Sequence, residues 1–368
     1  MLKILLCFGT RPEAIKMVPI IKELQFRGLD YKVCVTAQHR EMLDQVLDFF
    51  QIVPDFDLDL MTPKQSLNTL SAAVLNAIDP IFDNYLPDVV LVQGDTTSAS
   101  IIALAAFHRS ISVAHVEAGL RTYNKRSPFP EEGNRQIISK IADYHFTPTQ
   151  NATENLKQEG VNDKSIICTG NTVVDALFWT QELLGRDLNF NEIKELRSHL
   201  DQTKKLILIT GHRRESFGDG ILNICKALLE ISKREDVEII YPLHLNPQIK
   251  EPVMNLLGGS SNIHLVPPVS YPAMIWLMEQ CYMIISDSGG IQEEAPSFKK
   301  KVVVTREYTE RIEAVEAGFC YLTGTNKNKI IDKVMSILDD PVVLSSIPNP
   351  YGDGKAATRI VEFLINLE

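Results

Sequence analysis

The sequence predicts an α/β protein made of two similar halves. Short runs of β-branched and aliphatic residues alternate with longer amphipathic stretches along the whole chain. The short runs are apolar throughout, as in parallel strands covered by helices on both faces. The alternation runs twice, and 368 residues exceed what one core comfortably serves.

In the first half the candidate strands are Lys3–Phe8, Lys32–Thr36, Val89–Gln93 and Ser112–His115. Helical periodicity marks Ala14–Phe26, Glu41–Phe50 and Thr97–Phe107 between them. The stretch "GNTVVDALFW", from Gly170, closes this half, and a polar helix over Asn191–Leu200 leads to a fresh strand. The boundary therefore falls near residue 170, giving a first domain over 1–170 and a second from 171. Strands in the second half are Lys205–Thr210, Val237–Tyr241, Ile263–Val266, Met283–Ser286 and Val302–Thr305, with helices at Ile221–Ser232 and Tyr271–Gln280.

Composition narrows the function. A net charge of −10 argues against general nucleic-acid binding, which needs a basic footprint. No apolar run reaches the length of a membrane span. The start "MLKILLCF" is broken by Arg11, Pro12 and Glu13, so it reads as a buried strand rather than a leader. The six cysteines are scattered without a CxxC pair or metal-ligand spacing, the usage of a reducing cytoplasm.

In parallel sheets ligands sit beyond the carboxyl ends of the strands. After the first strand comes "GTRPEAIK", a turn into a helix whose backbone N–H groups suit an anion, with Arg11 and Lys16 adding charge. "QGDTTS" places Asp95 after the third strand, either as a helix cap or as a proton carrier. "HVEAGLRT" crowds His115, Glu117 and Arg121 around Gly119, and "SPFPEEGNR" starts a helix with Glu131 and Glu132. Acids in a first turn can be mere dipole partners. Asp95, Glu117 and Glu131 nevertheless share one sheet edge with cations, as proton-transfer chemistry would require. The alternation "DFDLDL" (Asp55, Asp57, Asp59) reads as a solvated strand edge rather than a metal motif.

The second half repeats this logic. "GHRRES" puts His212, Arg213 and Arg214 at a strand end, and "YPLHLNP" puts His244 at the next. "SDSGGIQEEAP" turns through Ser288, Gly289 and Gly290 into a helix that can receive a phosphate. Glu293 or Glu294 follows where a ribose would be held, the other serving the helix end, and Arg311 in "TERIEA" lies near the same edge.

Taken in order, "FGTRPEAIKMVPII", "TAQHREMLDQVL", "QGDTTS", "HVEAGLRT", "PFPEEGNRQ", "TGHRRESFG", "SDSGGIQEEAPS", "TERIEAVEAG" and "NPYGDGKA" resemble the non-hydrolysing UDP-N-acetylglucosamine 2-epimerase family over essentially the whole chain. The resemblance implies a glycosyltransferase-B architecture: two Rossmann-like domains facing across a cleft, the second over 171–352, with a last helix over 353–368 returning to the first. It matches Asp95, Glu117, Glu131 and His212 to catalytic positions. Arg11, Lys16, Ser288, Gly289, Gly290, Glu294 and Arg311 match UDP-binding positions. In the uracil-side segment Pro267–Met274, Val269 and Met274 replace a Gln and a Phe of close relatives. Gln38, Arg213 and His244 match contacts to a second, activating UDP-GlcNAc, while Glu41 and Lys64 stand where some relatives have Gln and Arg.

The chemistry so implied is reversible conversion of UDP-GlcNAc to UDP-ManNAc, a donor for bacterial surface polysaccharides. UDP leaves C1 as a base takes the C2 proton, giving 2-acetamidoglucal, and UDP adds back after reprotonation on the other face. A homodimer without metal or nicotinamide is implied. The competing readings are a hydrolysing epimerase that releases ManNAc and UDP, a glycosyltransferase, and a non-catalytic nucleotide-sugar sensor.

Overall fold

The computed structural model describes residues 2–37, 40–62, 65–186, 190–211, 217–340 and 344–367. Packing divides the chain into two units, Met1–Ala176 with Tyr351–Glu368, and Leu177–Pro350. In the first, β1 (Lys3–Phe8), β2 (Asp30–Val35), β3 (Phe56–Asp57), β4 (Val89–Gln93), β5 (Ser112–Val116), β6 (Tyr144–Thr147) and β7 (Ile166–Cys168) form a parallel sheet. Its order among the described residues is β3-β2-β1-β4-β5-β6-β7. The helices are α1 (Arg11–Arg27), α2 (Arg40–Phe49), α3 (Leu67–Tyr85), α4 (Thr97–His108), α5 (Glu131–Ile141), α6 (Gln150–Gln158) and α7 (Thr172–Arg186).

The second unit repeats the plan with β8 (Lys205–Thr210), β9 (Val237–Pro242), β10 (Ile263–Val266), β11 (Met283–Ser286), β12 (Lys301–Val304) and β13 (Cys320–Leu322), ordered β10-β9-β8-β11-β12-β13. With them come α8 (Asn191–Ser198), α9 (Asp219–Ile231), α10 (Pro247–Leu257), α11 (Tyr271–Gln280), α12 (Gly289–Glu294), α13 (Ile312–Glu316) and α14 (Lys327–Asp339). Helix α15 (Ala356–Ile365) belongs to the first unit. Both sheets reverse strand order once, between β1 and β4 and between β8 and β11. Those reversals are where doubly wound sheets bind ligands.

The strands read from sequence are present, with ends shifted by a residue or two. Strands β3, β7 and β13 went unread because they are two or three residues long, too short for a period to show, and β6 because its YHFT interleaves polar residues instead of forming an apolar run. The acidic run forms an ion-paired edge around β3. Lys32 bonds Asp55 at 2.6 Å, and Arg40 pairs with both Asp57 and Asp59. Such exposed pairs contribute about 0–1 kcal/mol each.

Unit division falls inside α7, and the chain re-enters the first unit at Tyr351. There the Asn171 N–H donates to the Tyr351 carbonyl at 2.7 Å. Gly170 has φ +92°, and a Cβ on it would lie 3.4 Å from the Tyr351 carbonyl oxygen and 3.5 Å from Gly352 Cα. The returning helix α15 is capped from a distance, because Asp175 accepts the N–H groups of Ala356 (3.2 Å) and Ala357 (2.8 Å). These are two of the donors that any helix start leaves open.

Burial pushes the Asp175 carboxyl up to about 6, against the downward pull of those bonds. A carboxyl raised on folding contributes stability that is complete below its ordinary pKa of 3.8 and lost as pH rises through about 6. Urea denaturation of wild type and Asp175→Asn should therefore differ in wild type's favour by about 1 kcal/mol more at pH 5 than at pH 7.5. A gap that does not change with pH would refute this assignment.

Candidate active site

At the reversal in the first sheet, Thr10 and Glu13 form a reciprocal cap on α1. Glu13 Oε2 takes the N–H groups of Gly9 (3.0 Å) and Thr10 (2.8 Å), and Oε1 takes the Thr96 hydroxyl (2.7 Å). This buried acid ties the β1–α1 turn to the start of α4, and burial raises its pKa. The outcome corrects one sequence expectation. The Gly9 and Thr10 amides of "GTRPE" are spent on Glu13 rather than offered to an anion, leaving the cations Arg11 and Lys16 as the turn's contribution to such a site.

Lys16 is buried and bonds Glu117 Oε2. Arg135, on α5, donates Nη1 to the Glu117 carbonyl (2.6 Å), while its Nη2 meets Asp95 Oδ2 and Glu117 Oε1 (3.4 Å). One guanidinium thus bridges two of the three expected carboxylates. Asn134 holds the Asp95 carbonyl at 2.9 Å, and Asn171 donates Nδ2 to Glu117 Oε2 at 3.3 Å. The Glu117 side chain is 5% exposed and that of Asp95 27%, so Asp95 is the more open to a ligand. Glu117 also carries a positive φ of 62° at the end of β5, a strained conformation of the kind that gathers at functional sites.

Glu132, Arg121 and His115, also nearby, are structural. Glu132 accepts the N–H groups of Thr122 (2.9 Å) and Tyr123 (3.2 Å). Arg121 turns away to Glu159, at 2.7 and 2.9 Å. Burial, and then the Arg135 charge, holds His115 well below its ordinary pKa, so the ring is neutral and its Nε2–H donates to the Gly94 carbonyl at 2.7 Å. Glu131 stands in the first turn of α5, one turn before Arg135, with Oε2 buried.

In the second unit α12 begins at Gly289, and Ser288 places no side-chain cap on it. A Cβ on Gly289 would lie 2.9 Å from Arg311 Cζ. The first glycine of the pair therefore makes room for the guanidinium. Glu293 Oε1 accepts from Arg311 Nε at 3.0 Å. Arg311 also meets Glu310 at 3.1 Å. Burial would raise the Glu310 carboxyl, but Arg311 and Arg306 outweigh it and hold the group at about 2. Glu294 instead accepts the Tyr271 hydroxyl at 3.0 Å. The adjacent acids are thus divided, Glu293 to fix Arg311 and Glu294 toward Tyr271. Met274 lies partly buried on the same helix as Tyr271.

His212, Arg213, Arg214, Gln38 and Lys64 lie outside the described residues. Glu41 is exposed in the first turn of α2, and His244 is exposed after β9. Among the described residues no group of three or more His, Cys, Asp and Glu side chains could hold a metal ion, and no helix is long and apolar enough to cross a membrane.

A family model described as UDP-N-acetylglucosamine 2-epimerase matches residues 22–365. The chain belongs to the UDP-N-acetylglucosamine 2-epimerase family. Relatives of that name from Campylobacter jejuni and Yersinia pestis are each 50% identical, covering 99% of this chain and 97% and 99% of theirs. The crystal structure of UDP-GlcNAc 2-epimerase from Neisseria meningitidis bound to UDP-GlcNAc is 45% identical with a TM-score of 0.94, covering 99% of this chain and all of that one. The Methanocaldococcus jannaschii enzyme in complex with UDP-GlcNAc and UDP is 33% identical with a TM-score of 0.86, again over 99% of this chain and 100% of that one. Membership gives the activity its class, UDP-N-acetylglucosamine 2-epimerase, and the fold its type, glycosyltransferase-B.

Glu13, Arg135, Asn171 and Tyr271 were not singled out from sequence. Arg135 carried a usable signal, four residues after Glu131 and so on the same helical face. Removing it as Arg135→Met should cost about 3 kcal/mol at pH 7, because it strips a partner from a buried carboxylate. Urea denaturation of the two proteins at pH 7 checks this, and a variant as stable as wild type would contradict it.

Proposed function

We propose that this member of the family is the non-hydrolysing epimerase, interconverting UDP-GlcNAc and UDP-ManNAc by elimination and re-addition of UDP. The observation that carries the reading is the Arg135 bridge between Asp95 and Glu117, with Lys16 on the far oxygen of Glu117. Two carboxylates held together by fixed cations suit the removal and return of a proton at one carbon. Sugar binding by itself requires neither of them, which separates this reading from that of a sensor.

In the reaction the C1–O bond to the diphosphate breaks and UDP departs with the electron pair. A carboxylate takes the C2 proton, leaving the C1=C2 bond of 2-acetamidoglucal. A proton then returns to the opposite face of C2, and a diphosphate oxygen re-forms the bond to C1. Two proton carriers are needed, on opposite faces of the sugar, and Asp95, Glu117 and Glu131 are the candidates for them. Arg11, Lys16, His212 and Arg311, with the turn Ser288–Gly290, stabilise the charge that develops on the leaving diphosphate. Glu294 holds the ribose, and Met274 lies on the uracil side. No step calls for a metal or a nicotinamide.

Gln38, Glu41, Lys64, Arg213 and His244 are read as contacts to an activating second UDP-GlcNAc. The protein is further read as a cytoplasmic homodimer supplying ManNAc-type donors for surface polysaccharides. The buried free thiols Cys7, Cys34, Cys225, Cys281 and Cys320 support the reducing compartment.

Proton NMR of UDP-GlcNAc incubated with the protein in deuterated water tests the reaction. UDP-ManNAc deuterated at C2, with the diphosphate attached, is the expected product. Free ManNAc and UDP as main products would move the chain to the hydrolysing branch. Asp95→Asn, Glu117→Gln and Glu131→Gln should each lower kcat by ~10²–10⁴-fold while substrate affinity changes little. Equal losses in both would contradict their role as proton carriers.

A further inference from the structure

Asn171 sits where the returning chain meets the first unit, and its atoms are spoken for on three sides. The backbone N–H donates to the Tyr351 carbonyl at 2.7 Å. Oδ1 accepts the Val173 N–H at 3.1 Å, starting α7, and Nδ2 donates to Glu117 Oε2 at 3.3 Å. Because Oδ1 already receives an N–H, the orientation of the amide is settled, and a donor faces the carboxylate. The residue is 3% exposed. Its place is set by the close passage of Gly170 against Tyr351 and Gly352.

We propose that Asn171 is a positioning residue for Glu117, selecting the carboxylate's rotamer and favouring its ionised form. The proposal rests on the reading of Glu117 as a proton carrier. Lys16 supplies charge to the same oxygen, but an ammonium on a flexible stem imposes little direction. The amide is planar, buried and anchored at both ends, so it can fix where Oε2 points. A donor to a carboxylate lowers its pKa, and loss of that donor raises it. Among the described residues, charged groups facing Glu117 include Arg135 from α5 and Lys16 from α1, with Asp95 reached through Arg135 and the neutral His115 in the strand just before it. Through Asn171 the proton-transfer geometry depends on where the chain re-enters the unit at Tyr351.

Asn171→Ser and Asn171→Asp separate this role from helix capping. Both keep an oxygen that can start α7. Serine is too short to reach Glu117, and aspartate sets a second carboxyl against it. The rate read is deuterium incorporation at C2 of UDP-GlcNAc as a function of pH. Asn171→Ser should keep its melting temperature and KM close to wild type, lower the rate about tenfold, and move the acidic limb upward by about one unit. Asn171→Asp should be slower still at pH 8 and recover as pH falls, since the introduced carboxyl offers a donor again once it is protonated.

Wild-type pH profiles for both variants, with rates lowered only in proportion to folded protein, would overturn the proposal. Glu117→Gln is run beside them. Turnover by that variant at the wild-type rate would overturn the reading of Glu117 itself, and with it this one. A dead Glu117→Gln with an unshifted Asn171→Ser would overturn the role of Asn171 alone.

Discussion

The guanidinium of Arg135, shared between Asp95 and Glu117, is the contact around which the first unit's site is arranged. Carboxylates this close repel one another and resist desolvation unless a cation lies between them. Glu117 adds to that cost with a positive φ, so its position must be enforced from several directions. Lys16 comes from α1, Arg135 from α5 and Asn171 from the start of α7. Elements far apart in sequence thus converge on one side chain, and the doubly wound topology brings their ends to the same sheet edge.

The second unit uses the same topology for a different task. Its site side is built on a cation laid over a glycine, with Arg311 filling the space above Gly289 and anchored by Glu293 and Glu310. A guanidinium so held lies in a fixed plane, the geometry that suits a diphosphate. The proposed reaction needs both devices, since proton movement at C2 accompanies the departure of charge from C1.

Glu13 shows how local chemistry can mislead a reading of strand ends. Arg11, Pro12 and the preceding glycine have the marks of an anion-binding turn, and the acid three residues past Thr10 looks like an ordinary capping box. In the folded protein that acid takes the Gly9 and Thr10 amides and reaches across to Thr96. The interaction joins the two turns on either side of the strand-order reversal. No local pattern reports it, because Thr96 is a neighbour only through the pairing of β1 with β4.

By itself, the sequence determined the α/β class, the doubled alternation and the longer strands, since hydrophobic period and length are local properties. It also placed Asp95, Glu117 and the Ser288–Gly290 turn at strand ends, because each closely follows an apolar run, and Glu131 at a helix start, because it follows a Pro-rich turn. Tertiary structure decided the rest. Whether Glu132 or Arg121 belonged to the site depended on Thr122 and Glu159, partners supplied by the fold. Which of Glu293 and Glu294 would hold Arg311 depended on the approach of the segment after β12. Arg135 and Asn171 acquired their places only when α5 and the returning chain packed beside β5. A hydrogen bond is short-ranged and directional, so residues distant in sequence find their partners only after the sheet has set the distances between them.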